Sequence, residues 1–66
     1  MFGERIRMAK KATGLTQKQL GEMCGYTGQG AMVTVNRWES DTRPVPIEKI
    51  RILAKSLHMS LDELIP

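Results

Sequence analysis

Glycine and proline break this 66-residue chain into short pieces, and that punctuation limits what it can fold into. Gly14, Gly25, Gly28 and Gly30, then Pro44 and Pro46, interrupt any regular element that tries to run through them. Glycine is a poor helix former, and proline bars both itself and the residue before it from a helix interior. Within each piece the apolar residues recur at helical spacing. Ile6, Ala9 and Thr13 define helix one from Glu4 to Thr13, stopped by Gly14. Thr16 and Gln19 stand in a capping-box arrangement ahead of Leu20, Met23 and Cys24, which predicts helix two from Gln17 to Cys24, ending at Gly25. From Ala31 to Glu39 the alternation of Val33 and Val35 permits a strand. The stripe Ala31, Thr34, Val35 and Trp38 favours a third helix. After a loop over Ser40 to Pro46, residues Ile47, Ile50, Leu53, Ala54 and Leu57 mark helix four. Ser60 and Glu63 form a second capping box before Leu61, Leu64 and Ile65, a fifth helix of one or two turns.

Five short helices predict an all-α fold, and the length allows a single domain over residues 1–66. A chain of this size buries only about 60% of the surface its unfolded form exposes, so its apolar residues must gather in one cluster and a deep substrate pocket is not expected. Cys24 is the only cysteine and His58 the only histidine, which leaves no disulfide framework, Cys/His zinc site or nucleophile-base pair. Cys24 reads as a small buried hydrophobe and His58 as a surface residue. No enzymatic role, metal, cofactor or small-molecule substrate is expected. The lack of disulfides fits a reducing cytoplasm, and no apolar run approaches the roughly 20 residues of a membrane span. Ten Lys and Arg against seven acids leave a net charge of +3, concentrated in residues 1–15 and 41–57, with an acidic end at Asp62 and Glu63. A basic body suits a polyanion partner.

The ordered run Gly14-Leu15-Thr16-Gln17, Leu20-Gly21, Gly25-Tyr26-Thr27, Val35-Asn36-Arg37-Trp38-Glu39, Arg43-Pro44 and Ser60-Leu61-Asp62-Glu63-Leu64 resembles the DNA-binding domain of the lambda Cro and repressor family, and it covers nearly the whole chain. The resemblance implies a lambda repressor-like fold with a helix-turn-helix at helices two and three, the third helix entering the DNA major groove. Three departures stand out. The family usually has alanine where Gly21 stands, which implies that the close packing of helices two and three survives while helix two is weakened by about 1 kcal/mol. Asp41 occupies a position where glycine is typical, implying a mildly strained turn. The distance from Gly25 to Trp38 is four residues longer than the family's common spacing. Four residues at about 100° each add one turn and only about 40° more, so they can extend the recognition helix without rotating its faces. A longer turn, which Gly28 and Gly30 also permit, is the alternative.

With Trp38 at the centre of the buried arc, Gln29, Val33 and Asn36 fall on the opposite side, flanked by Met32 and Arg37. If the extension is helical, this is the reading edge. Gln29 can present its amide to adenine, Val33 can meet a thymine methyl, and Asn36 can serve a base or a phosphate. Met32 fits a DNA contact or a gap in the core. Arg37 and Arg43 are better placed for phosphates, at the end of the recognition helix and in the loop after it. By resemblance Gln17 contacts a phosphate at the start of helix two, where the helix N-terminus favours an anion; Thr16 is a cap. The family pairs the acid at Glu39 with a basic residue in helix one, here Lys10 instead of the usual arginine, implying a weaker or water-mediated pair.

The function these readings imply is sequence-specific binding of double-stranded DNA by a transcriptional regulator, a small phage or bacterial repressor acting as a homodimer on a twofold operator. Only Ile65 and Pro66 follow the second capping box and Leu64, so dimerisation is expected to be weak, DNA-assisted, or made by the helix four and five surface. The alternative is a protein-interaction module of the same fold, such as an antitoxin or adaptor domain, using an apolar patch around Met32 and Val33.

Overall fold

A computed structural model describes residues 2–64 and contains five helices in sequence order: α1 (Phe2–Thr13), α2 (Gln17–Met23), α3 (Gly28–Glu39), α4 (Ile47–Ser56) and α5 (Leu61–Leu64). The strand permitted by Val33 and Val35 does not form: both lie within α3, because helical spacing buries Val35 with Ala31 and Trp38 on one face. Ile65, read as part of the last helix, lies outside the described residues. No helix among the described residues is long and apolar enough to cross a membrane.

One cluster holds the helices together. Ile6 of α1, Leu20 of α2, Val35 and Trp38 of α3, Leu53 of α4 and Leu64 of α5 are all buried in it, with Cys24 between α2 and α3. Val45, set between Pro44 and Pro46, plugs the same cluster from the loop after α3. Both capping boxes form. Thr16 Oγ1 accepts from the Gln19 N–H at 3.0 Å and the Thr16 N–H donates to Gln19 Oε1 at 2.9 Å. The Ser60 N–H likewise donates to Glu63 Oε1 at 3.0 Å while Ser60 Oγ accepts from the Glu63 N–H. That pairing stabilises the Glu63 carboxylate and lowers its pKa.

Two glycines are required by close approach. A Cβ on Gly3 would overlap the carbonyl oxygens of Trp38 and Glu39, and one on Gly21 would overlap the backbone of Ala31. The second contact is the close packing of α2 and α3 expected at this position, and it is too tight for the alanine usual in the family.

The first four helices all end in the same way. In each, the residue after the C-cap takes a left-handed conformation, and the next N–H reaches back to a carbonyl in the last turn. Leu15 N–H donates to the Lys10 carbonyl, Tyr26 to Gly21, Thr42 to Arg37 and Met59 to Ala54. Glycine fills the left-handed position after α1 (Gly14, φ 79°) and α2 (Gly25, φ 99°), but after α3 and α4 it is Asp41 (φ 59°) and His58 (φ 56°). Asp41 has a compensation: its Oδ1 accepts the Gly3 N–H at 3.0 Å, satisfying a free donor in the first turn of α1. This tertiary cap accounts for α1 starting at Phe2, ahead of the expected Glu4. His58 is exposed and has no such bond among the described residues.

His58→Gly should therefore raise the unfolding free energy by about 1 kcal/mol. Asp41→Gly should change it little, because relief of the backbone is offset by loss of a cap of about the same size. Thermal unfolding of the two variants checks this, and equal gains would show that the Asp41 cap contributes nothing.

Candidate nucleic-acid interface

The two faces of α3 are chemically distinct. Ala31, Val35 and Trp38 are buried and Thr34 is half-buried, whereas Gln29, Met32, Val33, Asn36 and Arg37 stand in solvent. The four extra residues are helix, which decides between the two alternatives: α3 begins at Gly28, after Thr27 in an extended conformation. Gly28 opens it with φ 58°, a geometry that suits glycine. Gln29, Val33 and Asn36 consequently share one edge, spanning about 10 Å at roughly 1.5 Å per residue. Met32 and Val33 are each 39% exposed, so the reading of Met32 as filler of a core gap does not hold.

Beside this edge the loop after α3 folds back. The Thr42 and Arg43 N–H groups both donate to the Arg37 carbonyl, at 2.9 and 3.3 Å. The turn brings Arg37 and Arg43 to one open cleft, whose lining includes Thr34, Tyr26 and Trp38. Tyr26 meets Trp38 edge to face at a centroid distance of 5.8 Å, and Lys49 Nζ lies 5.4 Å from the Tyr26 ring centroid. Neither contact was visible in the sequence pattern, since Tyr26 sits in a turn and Lys49 is a charged position outside the apolar stripe of α4. Burial pushes the Cys24 thiol pKa up, against the smaller opposing effect of Lys49. Such a thiol is a packing residue.

At the last residue of α3, three helices meet on one carboxylate. Glu39 Oε1 accepts from Gln17 Nε2 at 2.7 Å, and Glu39 Oε2 lies 2.9 Å from Lys10 Nζ. The Lys10 and Glu39 side chains are only 13% and 6% exposed. The pair is direct, so of the two expectations, a weaker pair or a water-mediated one, the second does not hold. Nζ approaches Oε2 without the alignment of a hydrogen bond, and the buried Oε2 has no aligned donor among the described residues. Gln17, expected at a phosphate, is half-buried with one amide N–H already committed. No residue pattern announced the bond to Glu39.

Five helices in this order, with a short turn from α2 into an α3 that buries one face and offers the other, define a helix-turn-helix protein of lambda repressor-like fold. The chain belongs to the helix-turn-helix family, whose model matches residues 6–64. A curated relative from Bacillus subtilis (strain 168), described as the uncharacterized HTH-type transcriptional regulator YobD, is 32% identical over 62 residues, which cover 94% of this chain and 52% of the relative. The chain thus spans about half the length of that relative. No solved structure gives a significant match.

Removing one partner of a buried ion pair leaves an uncompensated charge, so Lys10→Ala should destabilise the domain by about 3 to 5 kcal/mol. Lys10→Arg should hold or raise stability, because the guanidinium fork can supply the aligned donor that Oε2 lacks. Denaturant unfolding of both variants is the measurement. A Lys10→Ala loss under about 1 kcal/mol would place the pair among surface bridges.

Proposed function

We propose that this chain is a transcriptional regulator that binds double-stranded DNA in a sequence-specific way, a Cro-like repressor of phage or bacterial type acting in the cytoplasm as a homodimer. The observation that carries the reading is the exposed edge of α3, a row of Gln29, Val33 and Asn36 flanked by Met32, in a chain of the helix-turn-helix family. These four side chains are the base-contacting set: an amide pair, a methyl-bearing surface and a thioether suit the donors, acceptors and thymine methyls of the major groove. Arg37 and Arg43 at the cleft, with Gln17 at the start of α2, hold phosphates and so set the register. The chain works by binding, as a single domain over residues 1–66, with no chemistry on its partner. The description of the Bacillus subtilis relative as a transcriptional regulator supports the same reading.

A second reading, a module that holds a protein partner, draws on the exposed Met32 and Val33. Selection of bound duplexes from a random pool separates the two, since a protein-binding module enriches no sequence.

On the selected operator, Arg37→Ala and Arg43→Ala should each weaken binding to cognate and scrambled duplexes alike, lowering the salt slope by about one unit. An unchanged slope would return that arginine to the solvated surface. Gln29→Ala should instead relax preference at one base pair, by about 1 to 3 kcal/mol, with folding untouched. Parallel specificity profiles of parent and variant would remove Gln29 from the reading edge.

A further inference from the structure

We propose that Glu39 is a positioning residue for DNA binding: it orients the amide of Gln17, and Lys10 cancels the charge that would otherwise make this arrangement repel a phosphate. The inference rests on the DNA-binding reading and deepens it, by naming what sets the geometry of one backbone contact. An ionised carboxylate only accepts hydrogen bonds, so the atom of Gln17 that faces Glu39 must be the amide nitrogen. The 2.7 Å bond therefore fixes the plane of the amide and removes its freedom to flip. One N–H is held inside; the second N–H and Oε1 remain for a partner. A phosphate oxygen can only accept, so the second N–H is the group it takes.

Holding a donor with a carboxylate has an electrostatic consequence. Gln17 would place a phosphate within one side chain of a second anion, in a setting only 6% exposed at Glu39 and therefore poorly screened. The ammonium of Lys10, 2.9 Å from Oε2, compensates that charge from the far side. Lys10 thus supports DNA binding without touching DNA. A side chain fixed before the partner arrives also loses less freedom on binding.

The test is a double-mutant cycle on the selected operator at one salt concentration. In the parent, Gln17→Ala should weaken binding about tenfold, the size of one lost hydrogen bond to a charged group. In the background Lys10→Met with Glu39→Leu, which removes the ion pair as a pair and so spares stability, the same substitution should cost less than about threefold, because the amide there is unpinned. With Glu39→Gln beside Lys10→Met, which retains a carbonyl acceptor and leaves no unpaired ammonium, the Gln17 penalty should return. An equal Gln17 penalty in all three backgrounds would overturn the proposal and leave DNA binding standing. If no duplex is selected at all, the DNA-binding reading fails and takes this proposal with it. Should the paired background not fold, the NMR order parameter of the Gln17 side-chain amide in the unliganded parent decides instead: a value near 0.85 is expected, and one below about 0.6 overturns the pinning.

Discussion

The carboxylate of Glu39 is the point on which three helices agree. It stands at the last residue of α3, accepts from the first residue of α2 and faces Lys10 of α1. Hydrophobic burial supplies the drive to collapse, but it is non-directional and would tolerate several rotations of these helices about the core. A buried charge does not, because its desolvation is offset only where its partners stand in the right places. Glu39, with Gln17 and Lys10, therefore ties α1, α2 and α3 together beside the core that Ile6, Leu20 and Trp38 form. The cap from Asp41 to Gly3 acts at the same junction, and Gly3 allows the start of α1 to press against the carbonyls of Trp38 and Glu39. The polar contacts at the end of α3 thus orient the surface whose apolar side is buried.

The tight crossing of α2 and α3 belongs with the lengthened α3. Ala31, whose backbone occupies the space a Cβ on Gly21 would need, lies in the N-terminal part of the helix, where the additional turn has been placed. Two departures from the family pattern, a glycine for an alanine and four extra residues, meet at one contact. The glycine costs helix propensity in α2 but removes the Cβ that would meet Ala31, and the extra residues bring Ala31 into α3. Together they describe a helix that starts earlier and packs closer.

What the sequence made legible was local. Capping boxes, left-handed helix ends at Gly14 and Gly25 and the apolar stripes are set by residues within a few positions of one another, and their physics does not depend on the rest of the chain. The buried face of α3 followed from the same periodicity. The bond from Asp41 to Gly3 joins positions 38 apart and that from Gln17 to Glu39 positions 22 apart, so neither leaves a spacing to read. Gly3 and Gly21 look like any other glycine until a neighbour's backbone is placed against them. At the interface, residue exposure was legible for Gln29, Val33, Asn36 and Arg37. The shared cleft of Arg37 and Arg43 was not, since it depends on two loop N–H groups returning to one carbonyl.

The helical extension shows how a surface can grow without disturbing its anchor. Four residues carry a helix through one turn and about 40° more, so an added turn keeps its side chains close to the faces already in use. Trp38 and Val35 stay buried, and Gln29 joins Val33 and Asn36 on the outer edge. Had the insertion been of two residues, the rotation of about 200° would have turned the new segment's outer side chains towards the core. Glycine at positions 28 and 30 weakens the helix where it is added, but Gly28 also supplies the left-handed geometry that lets α3 begin directly after Thr27. The lengthened edge therefore depends on a start that few other residues would permit, while the chemistry it displays is set by the residues that follow.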